Sequence, residues 1–437
     1  LVEPQDHRRG LAAGRLVCVL ASTILASVSL AAPRPDLPTA VSHADRLRPA
    51  ADVPLRVAPA VDRAQVARED IERETAGLAP RFAIPHRVDL TPQTAGIWEE
   101  IDSGTSVWRL RVGSPGAVSL NLGLTRYFMP PGGRLLVYSS DLVHALPPFG
   151  SEDNAAHGEL WTPVVPASEV VLEVTLPTAE RAALVLKLES INVGYRGFGE
   201  TLLAGACNVD VVCPQGDPWR AEIASVGVIS TGGSLFCTGF MVNNTANDRR
   251  PYFMTARHCG ITAANAASLV VYWNYQTSTC GGPRDGQLNQ FQSGAFFCSS
   301  NAASDFTLVE LDSAPNSAWG VTFAGWDRSG ANTSGAIAIH HPNTDEKSIS
   351  FENQPTTTTS YLGSSSPGDG THVRITDWDV GTTESGSSGS PLFDPAHRVI
   401  GQLHGGFAAC GNNDSDWYGK FAISWNGGGT SATRLSN

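Results

Sequence analysis

The chain has 437 residues, enough for two or three domains with cores of their own, and its 41% apolar and 16% charged content suits a globular protein. Acidic residues outnumber basic ones by 42 to 30, and the resulting charge of −12 argues against a nucleic-acid partner, because phosphate binding needs a basic footprint. The 44 glycines and 28 prolines, with abundant Ser and Thr, favour short strands and turns over long helices.

Residues 7–32 read as an export signal, so that 1–31 should leave as a signal peptide. Arg8, Arg9 and Arg15 form its basic start, Leu16 to Leu30 its apolar core, and Ser29-Leu30-Ala31 a small-residue cleavage site. That apolar run is shorter than the ~20 residues needed to span a bilayer. The product is therefore expected to be secreted, with no membrane association once the signal is gone.

Residues 32–80 are rich in Pro, Ala, Arg and Asp with little period, and predict a poorly ordered linker. From 81 to 201 the pattern becomes strand-like. Residues 106–112 and 118–122 alternate, 134–138 follow a Pro130-Pro131-Gly132-Gly133 turn, and 169–176 repeat the theme. Short strands at this spacing predict a small β-sandwich. It carries no cysteine and no acid–base cluster, and its place ahead of the next domain makes it a pro-segment, with a retained binding module as the alternative.

From Cys207 onward, runs at 226–230, 236–242, 252–255, 269–275, 306–311, 336–339, 372–378 and 398–403 all read as strands separated by polar turns. Residues 202–437 thus predict two packed β-barrels, and the whole chain an all-β protein. Seven of the eight cysteines lie between Cys207 and Cys410, as a disulfide framework confined to one exported domain would have them. Seven is odd, which leaves one free thiol. No C-x-x-C pair occurs and the histidines are scattered, so neither a zinc site nor any other metal or cofactor is expected.

Three motifs carry chemistry. Phe253-Met254-Thr255-Ala256-Arg257-His258-Cys259 ends in a histidine pinned by a cysteine. Ser304-Asp305 opens an alternating strand, and Gly386-Ser387-Ser388-Gly389-Ser390-Pro391 brackets a serine pair with glycines. A serine hydroxyl is a poor nucleophile unless a base lies within hydrogen-bond reach, and the base needs a carboxylate to fix its tautomer. Ser388, His258 and Asp305 supply one of each. Their order, His then Asp then Ser, is that of the chymotrypsin-type hydrolases, not of subtilisins or α/β-hydrolases. Glycines around Ser388 allow a tight turn whose Gly386 and Ser388 amides can converge on an oxyanion.

The stretches CNVDVVCP at 207–214, VNNTANDR at 242–249, VVYWNYQ at 270–276, Thr279-Cys280, SDFTL at 304–308, AGWDR at 324–328 and AIAIHHPN at 336–343 span most of this domain. GSSGSP at 386–391, GQLHGG at 401–406 and SDWYG at 415–419 complete it. Together they resemble the bacterial lysyl endopeptidases, a secreted branch of the chymotrypsin-like peptidases. The resemblance implies a chymotrypsin-like two-barrel fold and cleavage of polypeptides after lysine, with Ser388 as nucleophile, His258 as base and Asp305 as its orienting acid. It implies that Asp416 lies at the bottom of the specificity pocket and pairs with substrate lysine. Trp378 and His404 would pack beside His258, and Gly405 and Gly406 would align substrate as an added strand. It also implies the disulfides Cys207–Cys410, Cys213–Cys280 and Cys237–Cys259, leaving Cys298 free. The enzyme would act as a monomer, with its own pro-segment as partner. Thr201, not a basic residue, precedes the inferred mature start at Leu202, so removal there calls for another protease, or for cleavage after Arg196 with trimming. Broader cleavage after Lys and Arg is the alternative within the class, and an inactive binding protein on the same fold the alternative outside it.

Overall fold

A computed structural model describes residues 37–197 and 205–436. The expected signal peptide and the Thr201–Leu202 junction lie outside the described residues.

Residues 37–197 form two sheets. One has five strands, with Leu55–Val57, Thr105–Gly113, Glu169–Pro177 and Arg134–Ser139 in that order, and Ile97–Asp102 also pairing with Thr105–Gly113. The other orders Ala83–Leu90, Val185–Gly194, Ser119–Phe128 and Leu160–Trp161. Leu110, Leu172 and Val174 of the first sheet share one core with Leu120, Leu122 and Ile191 of the second, as the sandwich expectation requires.

The linker expectation for 32–80 fails over its described part. Leu55–Val57 pairs in parallel with Arg111–Gly113, and Arg63–Thr75 is a 13-residue helix. Asp62 caps that helix by accepting the Gln65 amide at 3.0 Å, and Arg81 ties it down through Glu69 and Asp70. Only Val66 of the helix is buried. Its order comes from capping and ion pairs, not from an apolar face, which is why the apolar period showed nothing.

Residues 205–436 build two further sheets. The seven-stranded one runs Phe291–Ser293, Val270–Trp273, Val226–Thr231, Leu235–Met241, Tyr252–Ala256, Phe306–Leu311 and Ala295–Asn301. The nine-stranded one carries Ser348–Glu352, Ala336–His340, Pro391–Phe393, Arg398–Gly406, Asp416–Lys420 and His372–Ile375 in its centre. Phe240, Met254 and Phe306 of the first sheet pack with Ile337, Ile349 and Phe393 of the second in a shared core. This is the all-β, chymotrypsin-like arrangement. Disulfides join Cys207–Cys410, Cys213–Cys280 and Cys237–Cys259, and among the described residues Cys298 has no disulfide partner.

The sandwich docks on the seven-stranded sheet through Phe82, which is fully buried among Val164, Val228, Phe236, Tyr272 and Tyr275. Around it the Phe82 amide donates to Ser234 O at 2.9 Å and the Phe236 amide to Pro80 O at 3.1 Å, so 80–82 runs as a short added strand. Among the described residues no helix is long and apolar enough to cross a membrane.

Candidate active site

Strand register brings the histidine and the aspartate together. Tyr252–Ala256 pairs antiparallel with Phe306–Leu311, with Ala256 opposite Phe306. Asp305 sits one residue before the second strand and His258 two residues after the first, so both emerge at the same end of the ladder. Asp305 uses both carboxylate oxygens on this neighbour, accepting the His258 amide at 3.0 Å and His258 Nδ1–H at 2.7 Å. That bond holds the proton on Nδ1 and leaves Nε2 with its lone pair, the form that can accept a proton.

Ser388 lies on a loop shaped by two left-handed glycines. Gly386 has φ +93° and Gly389 φ +82°, and a Cβ on Gly389 would meet Thr255 Oγ1 at 2.2 Å. Thr238 of the seven-stranded sheet clasps this loop, its amide donating to Ser388 O at 2.8 Å and its hydroxyl to Gly386 O at 3.0 Å. Among the described residues the Gly386 and Ser388 amides have no hydrogen-bond acceptor, which leaves both donors available. Among the same residues Ser388 Oγ has no hydrogen bond to His258 either, a spacing common before substrate arrives.

Ser388, His258, His404, Gly405, Gly406 and Asp416 all line one cavity of about 660 Å³. The same cavity is also lined by Arg73, Leu78 and Pro80 from the N-terminal part of the chain. Asp416 is 2% exposed. Its Oδ2 accepts Trp378 Nε1–H at 2.8 Å and the Thr383 hydroxyl at 2.6 Å, and among the described residues it has no cationic partner. Burial raises its pKa to about 6, against the pull of those two hydrogen bonds. Gly405 and Gly406 stand opposite Trp417 and Asp416 across the neighbouring ladder, next to a register shift.

His404 stacks on His258 with centroids 5.7 Å apart. Behind it lie two residues that the sequence did not point to. Tyr361 stacks face to face on His404 at 3.6 Å, and His372 Nε2 meets His404 Nδ1 at 2.9 Å. Burial lowers the pKa of both His372 and His404 to about 4, which keeps the pair neutral at ordinary pH. His258, Asp305 and His404 offer ligand atoms close enough to meet a metal ion. The short His258–Asp305 bond already accounts for two of them, and the chemistry they offer is proton transfer.

A family model described as the lysyl endopeptidase C-terminal domain matches residues 202–419, and one described as the lysyl endopeptidase N-terminal domain matches residues 64–191. The chain belongs to the lysyl endopeptidase-like proteins. A protein of Pseudomonas aeruginosa strain PAO1 named lysyl endopeptidase is 29% identical over 392 residues, 79% of this chain and 81% of that one. Solved structures of a Glu endopeptidase with MPD and of the active Rv3671c protease from M. tuberculosis are similar in part. The first has TM-score 0.32 and 20% identity, covering 50% of this chain and 93% of its own. The second has TM-score 0.31 and 17% identity, covering 52% and 88%. This lysyl endopeptidase-like chain is a serine endopeptidase.

One expectation needs correcting for this lysyl endopeptidase-like site. Trp378 is not the aromatic residue next to the histidines. Its indole N–H binds Asp416 and its ring meets Tyr418 edge-on, so it belongs to the wall around the carboxylate. The aromatic ring that does stack in the histidine cluster is Tyr361, on His404. It sits in the loop between the strands Thr357–Thr359 and His372–Ile375, where no apolar period marks it.

Proposed function

We propose that the protein is a secreted endopeptidase that cuts polypeptides after lysine, with Ser388 as nucleophile, His258 as general base and acid, and Asp305 as the group that orients it. Ser388 Oγ attacks the scissile carbonyl while its proton passes to His258 Nε2. The Gly386 and Ser388 amides receive the oxyanion, and the C–N bond then breaks as His258 protonates the leaving amine. Water repeats the sequence on the acyl-enzyme and frees Ser388. Substrate would lie along Gly405 and Gly406, the residue before the cut reaching Asp416.

The observation that carries the substrate choice is Asp416. A buried carboxylate with only neutral donors around it is costly, and an arriving cation offsets that cost. A compact ammonium and the broad planar fork of a guanidinium make different demands on the space before that carboxylate. The name of the Pseudomonas relative favours lysine. The test is kcat/KM on matched peptides with Lys, Arg or Leu before the scissile bond. Lysine should lead; equal rates on Arg would widen the specificity, and a preference for Leu would reject the assignment of Asp416.

Residues before about Leu202 act in this reading as a pro-segment. Support comes from the way 73–80 closes one side of the cavity and 80–82 adds a strand at its rim. N-terminal sequencing of protein from culture medium should find a start near Leu202. An active chain that still begins near Ala32 would refute it.

A further inference from the structure

The pair His340-His341 takes no part in the chemistry above, yet it lies directly beneath the serine loop. His340 ends the strand Ala336–His340 and is completely buried, as are Ser387 and Ser350 on either side of its ring. Its Nδ1 lies 2.8 Å from Ser387 Oγ, and its Nε2 lies 3.1 Å from Ser350 Oγ. Ser387 Oγ accepts the Glu384 amide at 3.2 Å and so has one hydrogen left to give. Ser350 gives its own hydrogen to Thr382 O at 2.7 Å and so receives one. These partners select a single tautomer, in which Nδ1 accepts from Ser387 and Nε2–H donates to Ser350.

The result is one directed chain, from the Glu384 amide through Ser387, His340 and Ser350 to Thr382 O. Both of its ends lie on the segment that leads into Ser388. A histidine that merely filled space would have no need to return twice to the same loop. The backbone just beyond acts on the same segment. The His341 amide donates to Thr238 Oγ1 at 3.1 Å, whose hydrogen goes to Gly386 O, and the Asn343 amide donates to Ser385 O at 2.6 Å. Burial pushes the His340 pKa down to about 3, so the neutral ring that the chain requires is the form present at working pH.

We infer that His340 is a positioning residue: acting through Ser387, it fixes the Gly386 and Ser388 amides where the oxyanion forms. The inference rests on the reading of Ser388 and those amides given under Proposed function. Ser387 is the residue next to the nucleophile, so a shift of its side chain turns the Ser388 amide away. Thr383, which gives its hydroxyl to Asp416, lies between the two ends of the chain, but the Trp378 indole holds the same carboxylate without it, so the Asp416 site should change less than the oxyanion donors.

The test uses the full chain carrying His340→Phe, which fills the space without hydrogen bonds, His340→Asn, which restores an acceptor near Nδ1, and Ser387→Ala. His340→Phe should lower kcat by about 10²- to 10³-fold, the range for loss of one oxyanion donor, with KM within about threefold of wild type. Affinity for a peptide aldehyde ending in lysinal should fall in step, while affinity for n-butylamine, a probe of the Asp416 site, should fall by no more than about threefold. His340→Asn should recover at least about tenfold of the lost turnover. Should His340→Phe not fold, Ser387→Ala decides by the same split between the two inhibitors. Turnover within about twofold of wild type in a folded His340→Phe or in Ser387→Ala overturns the inference, as does a loss confined to KM and shared by both inhibitors. A fluorophosphonate that labels Ser388 in the wild type separates the two readings. Without that label the triad assignment itself fails; with it, and with normal turnover in the variants, only the role of His340 fails.

Discussion

Asp416→Asn should make the protein more stable while making it a worse enzyme, and pH should control the first effect. The carboxyl is buried and its pKa is raised from 3.8 to about 6, because burial outweighs the hydrogen bonds from Thr383 and Trp378. A shift of about two units is worth about 3 kcal/mol at ~1.4 kcal/mol per unit. The sign follows from the direction. A carboxyl whose folded pKa lies above its unfolded value favours folding only while protonated, so the advantage is complete below about 4 and is lost as pH rises through about 6. Above pH 7 the wild-type chain therefore carries the full cost of an ionised, unpaired group. An asparagine can still accept from Thr383 and Trp378 without the charge. Urea unfolding in a Ser388→Ala background, which prevents self-digestion, should show Asp416→Asn more stable by about 2–3 kcal/mol at pH 8 and nearly equal to its parent at pH 4. In the active background the same substitution should cut kcat/KM on lysyl peptides by about 10²- to 10³-fold, the equivalent of a broken buried pair. Equal stability at both pH values, or a less stable variant at pH 8, would refute the view of Asp416 as a strained site relieved by a substrate cation.

Asp305→Asn should lower kcat by about 10⁴-fold, since the amide would favour the wrong His258 tautomer; near-normal turnover would remove Asp305 from the mechanism. Gly389→Ala should reduce both turnover and thermal stability, because the new Cβ falls 2.2 Å from Thr255 Oγ1 at a backbone φ of +82°; unchanged kinetics would show that the serine loop tolerates displacement. Phe82→Ala removes the side chain that seats the sandwich on the seven-stranded sheet, a change of about 3–5 kcal/mol for a buried phenylalanine. The uncut chain should then hydrolyse a small chromogenic lysyl ester faster than the uncut wild type. An unchanged rate would show that docking of 80–82 does not limit access to the cavity.

The sequence made the triad motifs easy to find because each stands at a strand end, where hydrophobic alternation stops and special residues begin. Most strands of residues 205–436 were legible for the same reason, Phe306–Leu311 to the residue. What surrounds Asp416 was not. Trp378 and Thr383 lie 38 and 33 positions away in the chain, and only the pairing of His372–Ile375 with Asp416–Lys420 brings that segment close. Tyr361 and His372 were missed for a related reason: a stack of rings across two loops leaves no period to read. The helix Arg63–Thr75 did leave a mark, in the Asp62…Gln65 spacing of an N-cap, but its nearly all-polar surface hid it from an apolar pattern.

Thr238 belongs to one sheet and the loop it clasps belongs to the other, and this division has a consequence for the life of the newly made chain. The seven-stranded sheet draws on residues 226–311 and the nine-stranded sheet on residues running to Lys420, so synthesis completes the first well before the second. The Ser388 carbonyl and the Gly386 carbonyl find their partners only when the two sheets close on each other. Until then Ser388, the proposed nucleophile, has no arranged donors beside it. In the proposed mechanism the donors beside Ser388 are therefore set only once both sheets are in place, before any removal of the N-terminal residues that also line the cavity.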